Sequence, residues 1–294
     1  MKRLIFIVPF VIVMMFEGCG TGNQLAQKNA TANSYYEAGN YKSALVSYNE
    51  IIHQYESNNN STACPIYTNA GESALKTGDN KLAVSYLSKA KHTNYVNENT
   101  YFLLGEAYKL IDNLSLEIST LEDYLKLYPN GKHINTVKMR LFYTYVESQN
   151  FDKALNLWPD INDDKNDVKL LEAYYIVNKE LDNNDSCNNI AEKLLSIDKD
   201  NLVALYWFGK QYYRKAEDRY QVEIKAYEKE KTNKQYNILI KALEVVTVDF
   251  KKSLNYFKKI YTLQPTSQNA KYLSHIYGRL GDKKKADYYM KLAE

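Results

Sequence analysis

Proline, glycine, cysteine and histidine are all scarce in this 294-residue chain, at 5, 11, 3 and 4 residues. So little Gly and Pro leaves few turns for a many-stranded sandwich or barrel and favours helix. Three cysteines, Cys19, Cys64 and Cys187, cannot build a disulfide framework. His53, His92, His133 and His275 stand alone, with no His-Glu-x-x-His and no paired His/Cys spacing, so no zinc site is expected. Charge of one sign is not in excess: 38 Lys and Arg face 35 Asp and Glu. That balance gives no electrostatic case for nucleic acid. Catalytic signatures are missing as well. There is no Gly-x-Ser-x-Gly elbow, no carboxylate pair that stands out, and no glycine loop followed by Lys-Ser/Thr to cradle phosphate. The Asp-rich stretch 159–167, "PDINDDKND", lacks both the Gly and the distal Glu of a calcium loop and reads as a solvated connection. No catalytic residue, metal, or small-molecule cofactor is expected.

One long apolar run is present, from Leu4 to Phe16, behind Lys2 and Arg3. As a helix it would rise about 20 Å, short of a hydrocarbon core of about 30 Å. With a charged start and small residues after it, the run reads as an export signal over 1–18. Gly18-Cys19 at its end resembles the close of bacterial lipoprotein signals. That resemblance implies lipidation of Cys19, a short tether over 19–24 and retention at the outer membrane. Glu17 and Phe16 depart from the usual pattern, so an ordinary cleaved signal or a plain membrane anchor stays open.

What the chain has in quantity is tyrosine, 28 against 9 Phe and 2 Trp, within 45% apolar residues. A tyrosine ring with a hydroxyl at its tip suits half-buried positions and contact surfaces. It also has a repeat. "LKTGDNKLAVSYL", residues 75–87, and "YGRLGDKKKADYY", residues 277–289, share Gly-Asp and then a small residue four positions after the Asp. Gly with Asn or Asp between two helical patterns supplies the left-handed residue that ends one helix and the cap that starts the next. A small residue at a fixed position lets two helices approach closely. Aligned on such marks, the chain shows a period of about 34 residues carrying two helical patterns. The units begin near Leu25, Cys64, Glu98, Asn135, Val168, Leu202 and Ser267. Small or aromatic marks include Ala32, Ala44, Gly71, Ala83, Gly105, Tyr145, Ala154, Cys187, Gly209 and Ala286. In the third unit Glu117 stands where a small residue belongs. Cys64 and Cys187 fall too far apart in the series for a bridge and read as small buried residues.

This pattern resembles the tetratricopeptide repeat. The resemblance implies an all-α solenoid of about seven helical hairpins over 25–294, each burying its apolar face on the next. The sixth unit is interrupted. Gly209 and its closing Pro265 lie about 56 residues apart where about 24 are usual for such a repeat. Tyr213, Ala216, Tyr220, Ile224 and Tyr227, then Tyr236, Leu239, Leu243, Val246 and Phe250, step by three and four. This spacing predicts an extended helical hairpin over about 213–250 with a turn around 231–234. It serves either as a stiffening extension or as a partner-docking arm.

In the family the first helix of each unit lines a concave face. Carried over, that face holds Asn29, Asn33, Tyr36, Phe102, Tyr143, Tyr206, Lys210, Tyr213, Lys271, His275 and Arg279, together with Thr68, Glu72, Glu106, Lys109, Met139 and Glu172. The family's carboxylate clamp is matched only at Asn33 and Asn69 and is not supported. The resemblance implies a non-enzymatic, lipid-anchored scaffold that binds protein partners in the bacterial cell envelope. Barrel-assembly lipoproteins and secretin pilots combine the same features. An outer-membrane glycan- or nutrient-capture accessory is the rival, since tyrosine faces stack on sugars.

Overall fold

The same turn punctuates the chain, whether or not glycine is there to make it. The structure, a computed structural model, describes residues 20–161 and 166–294. Cys19 and the export segment 1–18 lie outside the described residues. Among the described residues the regular structure is helical. The helices are α1 (Gly20–Glu37), α2 (Tyr41–Ser57), α3 (Tyr67–Lys76), α4 (Asn80–Ala90), α5 (Glu98–Leu110), α6 (Leu114–Leu127) and α7 (Ile134–Glu147). They continue as α8 (Phe151–Leu157), α9 (Val168–Glu180), α10 (Asn184–Ile197), α11 (Leu202–Lys229), α12 (Asn233–Leu263), α13 (Ser267–Arg279) and α14 (Lys283–Lys291). Short 3-10 turns occupy Ser61–Ala63 and Trp158–Asp160. Gly20–Gln24, expected as tether, are helical as the opening of α1.

Odd and even helices pair into about seven hairpins, as the repeat implied. Gly39, Gly78 and Gly281 turn three of them with φ of +73°, +84° and +82°. Asp112, Gln149 and Asp182 hold the same left-handed conformation at φ between +55° and +59°, without the glycine. In four of these six turns the side chain of the next residue caps the second helix; Asn150 and Asn183 hold the same position without a capping bond. Asn40, Asp79, Asn113 and Asp282 each accept a hydrogen bond from the backbone N–H three residues on, at 3.0–3.3 Å. The small residues earn their place by contact. A Cβ on Gly71 would lie 2.5 Å from Leu87 Cγ, so α3 and α4 could not keep their separation with anything larger.

Two compact halves divide between Thr144 and Tyr145, inside α7. In the first, α2 packs on α3 and α4 on α5. One core joins Tyr48, Ile51, Ile52, Tyr67 and Ala70; another joins Ala83, Leu87, Leu103, Leu104 and Ala107. In the second, α8 packs on α9, α10 on α11 and α12 on α13. Cys187 sits in a core with Ala191, Leu194 and Trp207, while Phe250, Phe257, Leu273 and Ile276 anchor the next. Both Cys64 and Cys187 are buried, free thiols.

Two departures from the sequence reading have clear causes. Glu117 does not open a gap: it is 1% exposed, and Arg140 closes on it with Nε 2.7 Å from Oε1. Arg140 Nη2 also donates to Gly105 O at 2.6 Å, so a buried ion pair fills the place of a small residue. The extended hairpin is present, with α11 running 28 residues, about 42 Å, and α12 running 31. Its turn covers Glu230–Thr232, earlier than 231–234, because Thr232 Oγ1 caps α12 by accepting from Gln235 N at 3.2 Å. Ala216, Leu239, Ala242 and Val246 seal it, and Asp249, nearly buried, pairs with Lys215 at 3.3 Å. Tyr236, which steps in register with Leu239 and Leu243, is 48% exposed and rests on Tyr227 near the tip.

Candidate functional site

The expected partner-facing residues divide into those tied down by the fold and those left available. Asn33 accepts from Tyr48 Oη at 2.8 Å, and Tyr36 donates to Glu72 while lying edge-on to Tyr41. Burial first, then the Glu72 carboxylate, push the Tyr36 hydroxyl well above its ordinary pKa, so it stays a donor. Asn29 differs: its Oδ1 is buried and has no hydrogen-bond partner among the described residues. Phe102 is stacked by His133 at 4.0 Å with the rings 8° apart, so its face is taken. Burial and then Lys132 hold the His133 pKa below the ordinary value, which keeps that ring neutral against the phenyl. Tyr143 packs edge-on to Phe142 at 5.9 Å. Most of this first-half row therefore braces the helices.

In the second half the row opens. Tyr206 Oη lies 2.8 Å from Asn269 Oδ1, and Lys210 Nζ sits 5.2 Å above its ring. Tyr213 meets Phe250 and Tyr272 edge-on, at 6.0 and 5.3 Å, and its hydroxyl reaches His275 Nδ1 at 3.5 Å. Burial raises the Tyr213 pKa, with the Glu217 carboxylate adding to it. Lys271, His275 and Arg279 follow at intervals of four, on one face of α13. Lys210 and Lys271 are exposed, and neither forms an ion pair among the described residues.

Three of these expected residues converge on a cleft of about 490 Å³. Its walls are Tyr213 and Glu217 of α11, Ser274, His275, Gly278 and Arg279 of α13, and Ala286, Asp287 and Met290 of α14. Arg279 is fixed before any ligand arrives. Its Nε and Nη2 donate to Glu217 Oε2 and Oε1 at 2.9 and 2.5 Å, and its guanidinium lies 4.2 Å over the Tyr220 ring. The hydrogen bonds that Arg279 donates to Glu217 raise the Arg279 pKa further. Burial pushes the Glu217 carboxyl up, but Arg279 and Gln221 outweigh it and hold the pKa below the ordinary range. A planar donor already oriented by a carboxylate and an aromatic ring loses little freedom on binding. Among the described residues its hydrogen bonds engage Nε and Nη2, and none engages Nη1.

Sequence reading missed Glu217, Asp287 and Met290, whereas Tyr220 was placed on the extended hairpin. Glu217 lies on the extension of α11, for which the repeat supplies no template; Asp287 and Met290 lie on α14, a second helix. Among the described residues no group of His, Cys, Asp or Glu is placed to hold a metal ion, and no helix is long and apolar enough to cross a membrane.

No family profile and no curated protein sequence matches the chain. Solved structures do. YrrB, a tetratricopeptide-repeat protein described as having an unusual peptide-binding site, superposes with a TM-score of 0.52 at 16% identity, over 63% of this chain and 92% of its own. A putative protein-binding protein from Bacteroides ovatus gives 0.50 at 20% identity, over 64% of this chain and 100% of its own. The C-terminal part of a repeat protein from Cytophaga hutchinsonii gives 0.51 at 14% identity, over 90% of this chain and 93% of its own. At these identities the likeness concerns the fold, and that fold is of the tetratricopeptide type.

Proposed function

We propose that the protein is a non-enzymatic scaffold of the bacterial cell envelope, tethered through a lipid on Cys19, that holds a protein partner along the first-helix row of its second half. The observation that carries this reading is the open stretch from Lys210 to Arg279. There, Lys210 and Lys271 form no ion pair among the described residues, and the pre-set guanidinium of Arg279 lines a cleft about 490 Å³ in volume. YrrB, of the same fold, is described as a peptide binder, which is the same kind of ligand. The sugar-binding rival finds less support: the Tyr213 ring is wedged edge-on among Phe250 and Tyr272, and the Tyr206 ring carries Lys210. Neither offers a flat open platform.

Two experiments test the two parts. Mass spectrometry of the mature protein should find a lipid-modified Cys19 at the N-terminus, and Cys19→Ala should move the protein out of the membrane pellet; unmodified Cys19 in the pellet would reject the tether. Affinity capture from solubilised membranes should return a discrete protein that Lys210→Glu with Lys271→Glu loses. Capture of nothing above background would reject the scaffold.

A further inference from the structure

The hairpin of α11 and α12 is longer than the repeat needs, and its end carries groups that the seam between the two helices does not use. α11 runs 28 residues against 13 in α9 and in α13, which adds about 22 Å of helix. Stiffening asks only for the seam, and Ala216, Leu239, Ala242 and Val246 already bury it. Ile238 and Ile240 stand on either side of Leu239 and are 42% and 41% exposed. Tyr236 is exposed beside them and meets Tyr227 across the turn, with ring centroids 5.8 Å apart. Around these apolar groups Lys225, Lys229, Lys231, Lys234 and Lys241 are all exposed, and none forms an ion pair among the described residues. Over 225–241 only Glu228 and Glu230 oppose them, an excess of +3. The whole chain has the same net charge of +3, so everything outside this tip is neutral in sum.

We propose that the tip docks on a bilayer surface that carries anionic lipid, with the lysines among the headgroups and Tyr236, Ile238 and Ile240 at the edge of the acyl region. Charge and composition select that occupant together. An anionic leaflet attracts exposed lysines, and rings with a hydroxyl at their tip settle at headgroup level. The lysine stems lie along apolar neighbours while their ammonium groups stay in water. A nucleic acid calls on the lysines through its phosphates and gives the exposed isoleucines nothing to pack against. The contact is superficial, since among the described residues no helix is long and apolar enough to cross a membrane. The inference is independent of the partner row and of a lipid on Cys19.

The test uses the full chain with Cys19→Ala and an environment-sensitive fluorophore, placed on Asn237→Cys at the tip or on Lys251→Cys farther down α12. Cys64 and Cys187 are buried, which shields them from the label. Vesicles are phosphatidylcholine alone or an equal mixture with phosphatidylglycerol, each with brominated acyl chains as quencher. With the mixed vesicles the tip label should be quenched and the lower label should not. Lys231→Glu with Lys234→Glu should raise the lipid concentration for half-maximal quenching at least about tenfold. Ile238→Ser with Ile240→Ser should raise it about tenfold. All four side chains are exposed, so the helical circular dichroism spectrum should stay unchanged. A tip label left unquenched, or quenched no more than the label on Lys251→Cys, overturns the inference and returns the arm to stiffening or to a protein partner. Equal quenching with phosphatidylcholine alone overturns it too. Undiminished binding by the isoleucine variant does the same, leaving a plain polycation suited to a soluble polyanion.

Discussion

Replacing Glu117 by alanine separates the structure from the repeat pattern most sharply, because the two lead to opposite expectations. The family pattern places a small residue there, so resemblance alone makes Glu117→Ala neutral or favourable. In the structure the carboxylate is 1% exposed and its partner Arg140 has a side chain only 13% exposed. Removing the carboxylate leaves the guanidinium largely buried, with Gly105 O as its remaining partner among the described residues. Breaking such a pair from one side costs about 3–5 kcal/mol, against a whole-domain stability of about 5–15 kcal/mol. Removing both sides costs far less, since an apolar replacement of similar volume needs no partner. The assay is urea unfolding of Glu117→Ala, Arg140→Met and the double variant. Amide hydrogen exchange over α5 to α7 should accompany it, because the two halves need not unfold together. The single Glu117→Ala variant should lose about 3–5 kcal/mol locally, and the double variant should recover most of it. A single variant within about 0.5 kcal/mol of the parent, the range of an unremarkable surface change, would refute the argument.

Three further outcomes follow from the same geometry. Burial raises the hydroxyl pKa of Tyr36, Tyr48, Tyr55, Tyr67, Tyr86, Tyr124, Tyr128, Tyr175, Tyr213, Tyr256 and Tyr289, with Tyr175 pushed up to about 12 from 10.0. The folded state holds these protons more tightly, so stability is complete below pH 10 and drains above it, by roughly 3 kcal/mol for Tyr175 alone. Absorbance at 295 nm should show the share of tyrosinate that belongs to these buried rings appearing late and together with loss of helix; ionisation of all 28 tyrosines before any helix is lost would contradict this. Glu217 titrates the other way: its folded pKa is lowered, so its contribution is present above the ordinary carboxylate range and is lost as pH falls through the lower value. Glu217→Gln should therefore flatten acid unfolding of the second half, as read by exchange in α11 and α13. Finally, Asp112→Gly should raise stability by about 0.5–1 kcal/mol in urea, because glycine holds the left-handed turn without the Cβ penalty.

The fold was legible wherever the period and the turn chemistry were explicit. Gly78-Asp79 and Gly281-Asp282 announce a left-handed end and a cap, and both turns lie where the spacing puts them. The turns at Asp112, Gln149 and Asp182 were harder to read, because there a residue with a Cβ takes the strained conformation and only the following Asn marks the cap. The hairpin of α11 and α12 was readable from the three- and four-residue steps of its apolar residues. Its exact turn depended on the hydroxyl of Thr232, a single capping bond that periodicity does not report. Glu117 looked like a failed repeat position because its partner stands 23 residues away on α7. The available part of the first-helix row was hidden for a similar reason. Sequence position places Phe102 and Tyr213 on equal terms, yet His133 covers one and the cleft opens beside the other. Which residues remain accessible is decided by neighbours distant in the chain.

Binding along the second-half row can be measured at single positions in living cells. A photo-crosslinking amino acid at Lys210, Lys271 or His275 should yield one and the same protein adduct, while the same group at Lys251, exposed on α12, should yield none. Adducts that are absent from all four positions, or equally strong at Lys251, would contradict a partner held by this face.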